Sequence, residues 1–367
     1  MMEIVHKDEE ARLGTITTPH GKVETPVFIP VGTKGTVKAI LPRDLEEMGV
    51  QLIQANAYHL YLKPGDSLIR ELGGLHRFAG WSGAILTDSG GYQVFSLALL
   101  RKVEKEGILF QSHIDGSTHF ITPERAIEIQ RNLGSDIMMC LDDCIPYPSS
   151  LEDTRRSVEL TTEWARKCKK ARDGSGILFA IVQGGFFKDL RLRSASELLE
   201  EGFDGYAIGG LSVGEPKGLM WEMVDTVLPL LPWDRPRYLM GLGFPEDVME
   251  GVKRGIDMFD CIIPTRLARG GSLLTSKGRI NIKNAAYARD ENPLDEACDC
   301  YTCKNFSRAY LRHLFLSKEL SSHYLNTIHN LSFYSRLIVG IRNAIRKGSF
   351  LSFYKEFMEN WKGGEKE

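Results

Sequence analysis

The sequence has 367 residues, of which 43% are hydrophobic and 26% charged, and its net charge at pH 7 is −2. This composition is that of an ordinary globular protein with enough chain for a large core, so a disordered or fibrous chain is excluded. A net charge near zero offers no overall attraction for nucleic acid, so an RNA partner would require a local basic patch. Such a patch is formed in the sequence by Arg266, Arg269, Lys277, Arg279 and Lys283.

The first predicted element is a β-hairpin within residues 1–25, with its turn at Pro19-His20-Gly21. Short apolar runs follow it, and amphipathic stretches separate them. Continuous apolar runs are typical of parallel strands that are buried on both faces. The eight predicted strands are 27–31, 52–55, 84–87, 136–141, 177–182, 205–208, 237–240 and 258–263.

Helices are predicted between these strands. Thr122 is a suitable N-cap before Pro123, and Gly134 is a suitable end for that helix. Further helices are predicted at 151–171 and 245–255. Eight alternations of strand and helix predict a (β/α)₈ TIM barrel, with a doubly wound open sheet as the alternative.

The predicted domain organisation is one barrel with an added metal-binding part. Residues 1–265 and the C-terminal helices are assigned to the catalytic barrel, and residues from about 285 to 335 to a C-terminal zinc-binding subdomain. Residues 363–367 are predicted to be a frayed tail.

Polar residues follow the ends of several predicted strands, which is where barrel active sites assemble. Asp88 follows the third strand, Asp142 the fourth and Gln183 the fifth, and Asp260 lies in the eighth. Two carboxylates suffice for displacement at an anomeric carbon, one as nucleophile and one as acid and base. Glycine pairs at three strand ends would let a flat ligand reach backbone groups: 90–91, 184–185 and 209–210.

Structural alternatives exist for each of these residues. A single aspartate at a strand end is often a helix cap, and Asp143 is expected to be only a neighbour of Asp142. The glycine pairs could serve tight turns alone. Tyr92 could belong to the core or stack on a base.

The seven cysteines predict a metal site rather than a disulfide framework. Cys298, Cys300 and Cys303 place three thiols within six residues, and a fourth ligand would come from His313, His323 or His329. A closed Cys₃His set is typical of structural zinc. The alternative is a buried cluster of reduced thiols.

Five ordered motifs resemble those of the bacterial tRNA-guanine transglycosylases, also called the queuine tRNA-ribosyltransferase family, over almost the whole chain. They are D-S-G-G-Y-Q-V-F-S at 88–96, V-Q-G-G at 182–185, G-G-L-S-V-G-E at 209–215, F-D-C-I-I-P-T-R at 259–266, and C-D-C-Y-T-C at 298–303 with I-H-N at 328–330.

The resemblance implies a role for each matched residue. Asp260 corresponds to the nucleophile and Asp88 to the general acid and base. The implied substrate-binding residues are Asp88, Ser89, Gly90, Gly91, Tyr92, Asp142, Gln183, Gly210, Leu211 and Met240, with Tyr92 and Met240 on the two faces of the base. The implied RNA-binding residues are Gly241, Leu242, Gly243, Phe244, Pro245, Glu246, Asp247, Thr265, Arg266, Leu267, Ala268 and Arg269. The implied zinc ligands are Cys298, Cys300, Cys303 and His329.

The resemblance also implies the reaction and the partners. Guanine at the wobble position of tRNA is exchanged for 7-aminomethyl-7-deazaguanine, through a covalent ribosyl-aspartate, in queuosine modification. The partners are the tRNA anticodon loop, the free 7-deazaguanine base and a second copy of the chain. Val213 and Cys144 match the bacterial choices around the 7-substituent, whereas Leu267-Ala268 departs from the usual Ser-Gly of the RNA segment.

The remaining expectations concern location and competing functions. The sequence shows neither a signal peptide nor an apolar run of 18 residues, which predicts a cytoplasmic protein without membrane attachment. The chain ends too soon after His329 for the additional C-terminal domains of archaeal relatives. A barrel glycoside hydrolase and a catalytically silent partner subunit are the competing functions; the first would not need a Cys₃His module, and the second conflicts with having both Asp88 and Asp260.

Overall fold

A computed structural model describes residues 2–97, 100–174 and 176–362. The predicted frayed tail at 363–367 lies outside these residues. The strands are, in chain order, β1 (Met2–Asp8), β2 (Ala11–Thr18), β3 (Gly21–Thr25), β4 (Val27–Gly32), β5 (Leu52–Ala55), β6 (Ala84–Thr87), β7 (Arg101–Val103), β8 (Ile108–Gln111), β9 (Thr118–Ile121), β10 (Ile137–Met139), β11 (Ile177–Val182), β12 (Gly205–Ile208), β13 (Arg237–Leu239), β14 (Met258–Cys261), β15 (Ser272–Thr275) and β16 (Gly278–Asn281).

The helices lie between and after these strands. They are α1 (Pro42–Glu47), α2 (Ala57–Leu62), α3 (Asp66–Glu71), α4 (Gly74–Ala79), α5 (Gly91–Leu97), α6 (Pro123–Leu133), α7 (Leu151–Ala171), α8 (Lys188–Glu201), α9 (Lys217–Val227), α10 (Pro245–Lys253), α11 (Ile263–Gly270), α12 (Tyr301–Asn305), α13 (Arg308–Leu316), α14 (Leu320–Arg346) and α15 (Phe350–Lys362), with 3₁₀ turns at Leu228–Leu230 and Ala285–Arg289.

The centre of the fold is a closed parallel barrel of β4, β5, β6, β10, β11, β12, β13 and β14. The last strand, β14, pairs with the first, β4, in parallel register from Met258 opposite Val27 to Cys261 opposite Pro30. This closure confirms the (β/α)₈ barrel and excludes the open sheet. All eight strands coincide with predicted ones.

Three predicted strands are longer than the observed ones. The fourth spans only Ile137–Met139, and the seventh and eighth end at Leu239 and Cys261. Asp136 directly precedes β10: its backbone N–H donates to the Ile85 carbonyl oxygen at 2.9 Å, and its carboxylate accepts a hydrogen bond from the Ile85 N–H at 2.8 Å. Short observed strands agree with active-site loops that begin directly at the strand ends.

The predicted helix ends are confirmed for two helices. The Thr122 side chain accepts a hydrogen bond from the Arg125 N–H at the start of α6, and Gly134 ends the helix with φ of +77°. Helix α7 spans Leu151–Ala171 as predicted, with Ser150 as its N-cap. Side-chain capping of the first free N–H groups defines both starts.

Three antiparallel sheets lie outside the barrel in the described part of the chain, and β15 and β16 form the smallest of them. The N-terminal hairpin is part of a three-stranded sheet in which β1 pairs with β2, and β7, β8 and β9 form a second such sheet before α6. Strand β1 is mostly exposed, and β7 is three residues long. Neither strand presents the apolar run that identified the barrel strands.

The C-terminal part is joined to the barrel by the long, largely buried helix α14. Asn330 donates to the carbonyl oxygens of Pro264 and Ser272, at 3.0 and 3.1 Å. Arg342 donates to the Pro26 carbonyl oxygen at 2.9 Å. The division at residues 265 and 285–335 stays a prediction. Among the described residues, no helix is both long enough and apolar enough to cross a membrane.

Candidate active site

The predicted site residues converge at the carboxyl ends of the barrel strands. Asp88 follows β6, Asp142 follows β10, Gln183 follows β11 and Asp260 lies near the end of β14. All four are buried, with exposed fractions between 1% and 7%. Parallel strands bring their carboxyl ends to one mouth of the barrel, so residues distant in sequence share one pocket.

The environment of Asp88 suits a group that exchanges a proton near neutral pH. Asn56 donates to its Oδ2 at 2.7 Å, and the Ala57 N–H donates to its Oδ1 at 2.9 Å. Burial raises the pKa of Asp88 to about 7, and the nearby charges of Asp260 and Asp142 add to this rise. A carboxyl group with this pKa can both give and take a proton near pH 7.

Asp260 is held by two hydrogen bonds to a single oxygen. The Tyr238 hydroxyl donates to Oδ1 at 2.5 Å, and the Gly241 N–H donates to the same atom at 2.8 Å. Burial raises the pKa of Asp260, while both bonds favour its charged form. The side chain is thereby fixed through Oδ1, and Oδ2 is the oxygen that a nucleophilic attack would use.

Asp142 forms the centre of a hydrogen-bonded row across the pocket. Ser89 donates to its Oδ1 at 3.1 Å, and Gln183 Nε2 donates to its Oδ2 at 2.8 Å. Gln183 Oε1 is buried and has no partner among the described residues. An unpaired buried acceptor costs free energy, so a ligand N–H that reached it would be favoured.

Asp143 does not join this row. Its backbone N–H donates to the Thr161 hydroxyl at 3.1 Å, and its carbonyl oxygen accepts from Ser157 at 2.6 Å. These contacts anchor the strand end to helix α7. They agree with the expectation that Asp143 is a structural neighbour.

At two of the predicted glycine positions, neighbouring atoms lie too close to leave room for a side chain. A Cβ at Gly91 would lie 2.6 Å from the Asp142 carbonyl oxygen, and a Cβ at Gly210 would lie 2.2 Å from Gln183 Oε1. Gly210 also has φ of +63°. Any side chain at these positions would push into the Asp142 and Gln183 row.

Leu211 is buried, whereas Tyr92 is 48% exposed. Tyr92 is therefore not a core residue, which leaves its ring free to stack. Met240 follows β13 and is partly buried.

Three residues that support this pocket were not identified from the sequence: Asn56, Tyr238 and Arg191. Asn56 directly follows β5, the same position that identified the carboxylates, and Tyr238 lies two residues before Met240 in β13. Neither is marked by its sequence context, because Asn56 lies outside the motifs that carry the resemblance and a tyrosine inside an apolar run is usually core.

Arg191 is fully buried in α8 without a carboxylate partner among the described residues. Its guanidinium donates to four backbone carbonyl oxygens, those of Gly185 at 2.8 Å, Val182 at 3.0 Å, Gly209 at 2.7 Å and Gly210 at 3.3 Å. One side chain thus fixes both glycine turns that border the pocket. Nothing in the sequence around Arg191 marks it.

The two predicted RNA-contacting segments lie side by side next to the pocket. A groove of about 750 Å³ is lined by residues of both segments and by β16, including Phe244, Leu267, Arg279 and Lys283. Arg266 and Phe244 are exposed. The groove is basic where Arg279 and Lys283 line it, as a phosphate-binding surface requires.

Half of the predicted RNA-binding residues are buried. Gly241 is exposed, Glu246, Leu267 and Arg269 are intermediate, and the buried ones are Leu242, Gly243, Pro245, Asp247, Thr265 and Ala268. Asp247 is ion-paired with Lys217 at 2.5 Å, and Thr265 donates to the Ile262 carbonyl oxygen at 3.2 Å. These buried residues shape the segments, and their direct contact with RNA stays a prediction.

The four predicted metal ligands meet in one buried cluster. Nδ1 of His329 lies 3.7 Å from Sγ of Cys298 and of Cys300, and 3.3 Å from Sγ of Cys303. Nε2 of His329 lies 2.7 Å from the Leu274 carbonyl oxygen, which directs Nδ1 toward the sulfurs. The four ligand atoms lie within 4.8 Å of one another, so the group could hold a metal ion.

The structure also distinguishes which histidine could serve as the fourth ligand. His329 lies on α14 within the cluster, whereas His313 is exposed on α13 and the His323 ring packs edge-on against Phe315. Spacing along the chain could not distinguish them, because the choice depends on where α14 crosses the cysteine loop.

The closed (β/α)₈ barrel carries three buried carboxylates at the carboxyl ends of its strands and a separate Cys₃His group. These features are typical of a barrel enzyme with an additional metal-binding part. Comparison with known proteins gives the family. The family model for queuine tRNA-ribosyltransferase matches residues 7–363. The chain belongs to the queuine tRNA-ribosyltransferase family and is a tRNA-guanine transglycosylase of the pentosyltransferase class.

Curated relatives match over nearly their whole length. A queuine tRNA-ribosyltransferase of Pelotomaculum thermopropionicum is 58% identical over 98% of both chains. Those of Solidesulfovibrio magneticus and Caldanaerobacter subterraneus subsp. tengcongensis are each 56% identical, covering 98% and 100% of this chain and 97% and 98% of the relative. Family membership decides against the glycoside hydrolase.

Proposed function

We propose that this enzyme exchanges guanine at the wobble position of tRNA for 7-aminomethyl-7-deazaguanine through a covalent bond between Asp260 and the ribose. Family membership supports base exchange in tRNA. The covalent step is supported by one observation above all: Asp260 is held through Oδ1 by Tyr238 and Gly241, which leaves Oδ2 for attack.

In the first half-reaction, Asp260 Oδ2 attacks C1′ of the ribose, and the bond from C1′ to N9 of guanine breaks. The bonding electrons pass to the departing base, and the proton of Asp88 neutralises it. The pKa of Asp88, raised to about 7, allows this group to carry a proton at neutral pH.

In the second half-reaction, the incoming base loses its N9 proton to the Asp88 carboxylate and attacks C1′. The bond between C1′ and Asp260 breaks, and Asp260 returns to its ionised form. Two displacements at one carbon retain the β-configuration, as in retaining glycosidases.

The base edge is assigned to the row formed by Ser89, Asp142 and Gln183, with the backbone at Gly210 and Leu211. The carboxylate of Asp142 and the unpaired Gln183 Oε1 are acceptors that match the N–H groups of guanine. Tyr92 and Met240 are assigned to the two faces of the base. Aromatic stacking on a base contributes roughly 1–3 kcal/mol.

The anticodon loop is assigned to the groove beside segments 241–247 and 265–269, where Arg279 and Lys283 provide positive charge, and to the exposed Arg266 of the second segment. The metal at the Cys₃His group is assigned as Zn²⁺, which such ligands favour. Four protein ligands leave no open position, so its role is to fold the C-terminal part. The odd number of cysteines and the clustering of three of them favour a reducing cytoplasm. A homodimer is proposed from the family resemblance.

Radiolabelled guanine and unmodified tRNA provide the test. Native enzyme should place label in tRNA, and added 7-aminomethyl-7-deazaguanine should displace it irreversibly. Asp260→Asn should place none, while the matched control Asp143→Asn should retain activity. Label incorporation by Asp260→Asn at the native rate would contradict the assigned nucleophile, and failure of native enzyme to label tRNA would contradict the function.

A further inference from the structure

The opposite end of the barrel from the active site carries a cluster of two histidines and a buried aspartate. His20 comes from the turn between β2 and β3, His76 from α4, and Asp136 from the residue before β10. His20 Nδ1 lies 2.8 Å from Asp136 Oδ1, and His76 Nε2 lies 3.2 Å from Asp136 Oδ2. Three elements that are distant in sequence therefore direct ligand-type atoms to one point.

The carboxylate is held in place before any metal arrives. Asp136 is 2% exposed, and its Oδ2 accepts a hydrogen bond from the Ile85 N–H at 2.8 Å. A carboxylate fixed in this way is the anionic ligand that such a site needs.

The imidazoles are also pre-arranged. The rings of His20 and His76 are stacked, with centroids 3.5 Å apart and planes inclined by 13°. The three ligand atoms lie within 4.8 Å of one another. Bonds of about 2.0–2.1 Å in tetrahedral geometry place neighbouring ligand atoms roughly 3.3 Å apart. Each histidine nitrogen lies near this distance from a different oxygen of Asp136, so small rotations of the His20 ring and of the carboxylate would bring three ligand atoms around one ion.

We propose that His20, His76 and Asp136 form a second metal site, which binds a divalent transition metal such as Zn²⁺, Ni²⁺ or Co²⁺. Imidazole nitrogen with one carboxylate oxygen suits these ions, whereas Mg²⁺ and Ca²⁺ require more oxygen ligands. Three protein ligands leave coordination positions for water. The His20 side chain is 39% exposed, which gives the ion a route in and makes the site exchangeable.

The position of the site indicates what the metal would do. At the amino-terminal end of a barrel, residues contribute to stability rather than to chemistry. The metal would tie the turn of the N-terminal sheet to α4 and to the start of β10. It would therefore raise the melting temperature and leave base exchange unchanged.

The test uses untagged enzyme in which the Cys₃His group keeps its metal, titrated with Co²⁺ and followed by calorimetry and visible absorption. One further Co²⁺ should bind per chain, with the d–d bands of nitrogen and oxygen ligands and without thiolate charge-transfer bands. The melting temperature should rise with Co²⁺ and should not respond to Mg²⁺.

His20→Gln is the variant of choice, because His20 lies in a partly exposed turn and its loss leaves the barrel core intact. Binding should weaken at least about tenfold. His6→Gln, at an exposed position of β1, is the matched control and should bind as the native enzyme does. Unchanged affinity in His20→Gln, thiolate bands in the spectrum, or no binding of the second ion at millimolar Co²⁺ would each overturn the proposal.

Discussion

Replacing Asp88 by asparagine should stabilise the protein, and the gain should grow with pH. Burial raises the pKa of Asp88 from an ordinary 3.8 to about 7 in the folded enzyme. Between these two values the carboxyl group is neutral when folded and ionised when unfolded, so folding takes up a proton. Stability is therefore lost as pH rises through this window, and above pH 7 the full penalty remains. An asparagine in place of Asp88 does not titrate and would carry no such penalty.

The size of the expected change in unfolding free energy follows from the pH range between 5 and the pKa of Asp88 in the folded enzyme. About two pH units remain between pH 5 and the folded pKa, and each unit corresponds to about 1.4 kcal/mol, which gives about 2–3 kcal/mol. The substitution also disturbs the bonds from Asn56 and Ala57, but that loss is the same at both pH values. The difference in free energy between variant and native protein should thus shift by about 2–3 kcal/mol between pH 5 and pH 8.

Thermal or urea unfolding at pH 5 and pH 8 measures this shift, which should amount to a few degrees in Tm. Asp115→Asn is the control. Hydrogen bonds from Ser117 and Ser112 lower the pKa of Asp115 to about 2, so that group is ionised throughout this range and its variant should show no such trend. A difference for Asp88→Asn that is constant across pH, or that shrinks as pH rises, would refute the proposed protonation of Asp88.

Further predictions concern the pocket, the RNA groove and the metal. Asp142→Ala should narrow the preference for guanine over hypoxanthine in base exchange by about tenfold or more. Hypoxanthine lacks the 2-amine, so in the native enzyme it leaves a buried acceptor unpaired, which costs roughly 1–3 kcal/mol. An unchanged ratio in the variant would show that another group binds the edge of the base. Arg191→Lys should raise KM for guanine more than it lowers kcat, since the four carbonyl bonds of Arg191 position the turns; an equal change in both would contradict this. Arg266→Ala and Arg269→Ala should each reduce the log–log salt dependence of tRNA binding by roughly 0.7, and equal loss of free-base affinity would place them in the pocket instead. Cys300→Ser should lower metal content and Tm together, and full stability without metal would exclude a structural role.

The barrel could be predicted from sequence because its strands are buried on both faces. Strand β5, for example, is buried at all four residues, and exposed strands do not show such a continuous buried run. Strand β1 and the sheet of β7, β8 and β9 were not predicted, since their partly exposed residues lack that signal. Their pairing depends on neighbours that sequence periodicity does not reveal.

Site residues could be predicted where a reactive side chain stands at the end of a strand. Residues that support the pocket only through packing and hydrogen bonds could not. Asp88, Asp142 and Asp260 stand at strand ends and carry recognisable groups. Tyr238 is hidden within an apolar strand, and Arg191 resembles any helical arginine until its four carbonyl partners are seen. Supporting residues of this kind are defined by three-dimensional contacts alone.

Trapping the covalent bond between Asp260 and tRNA is the most direct test of the proposed mechanism. Native enzyme should be incubated with tRNA and a tight-binding base analogue, separated on denaturing gels, digested, and analysed by mass spectrometry. We expect a slowly migrating enzyme–tRNA band with the ribosyl adduct on the peptide that contains Asp260, and no such band for Asp260→Asn. An adduct on another residue, or a band of equal strength in Asp260→Asn, would contradict the proposed mechanism.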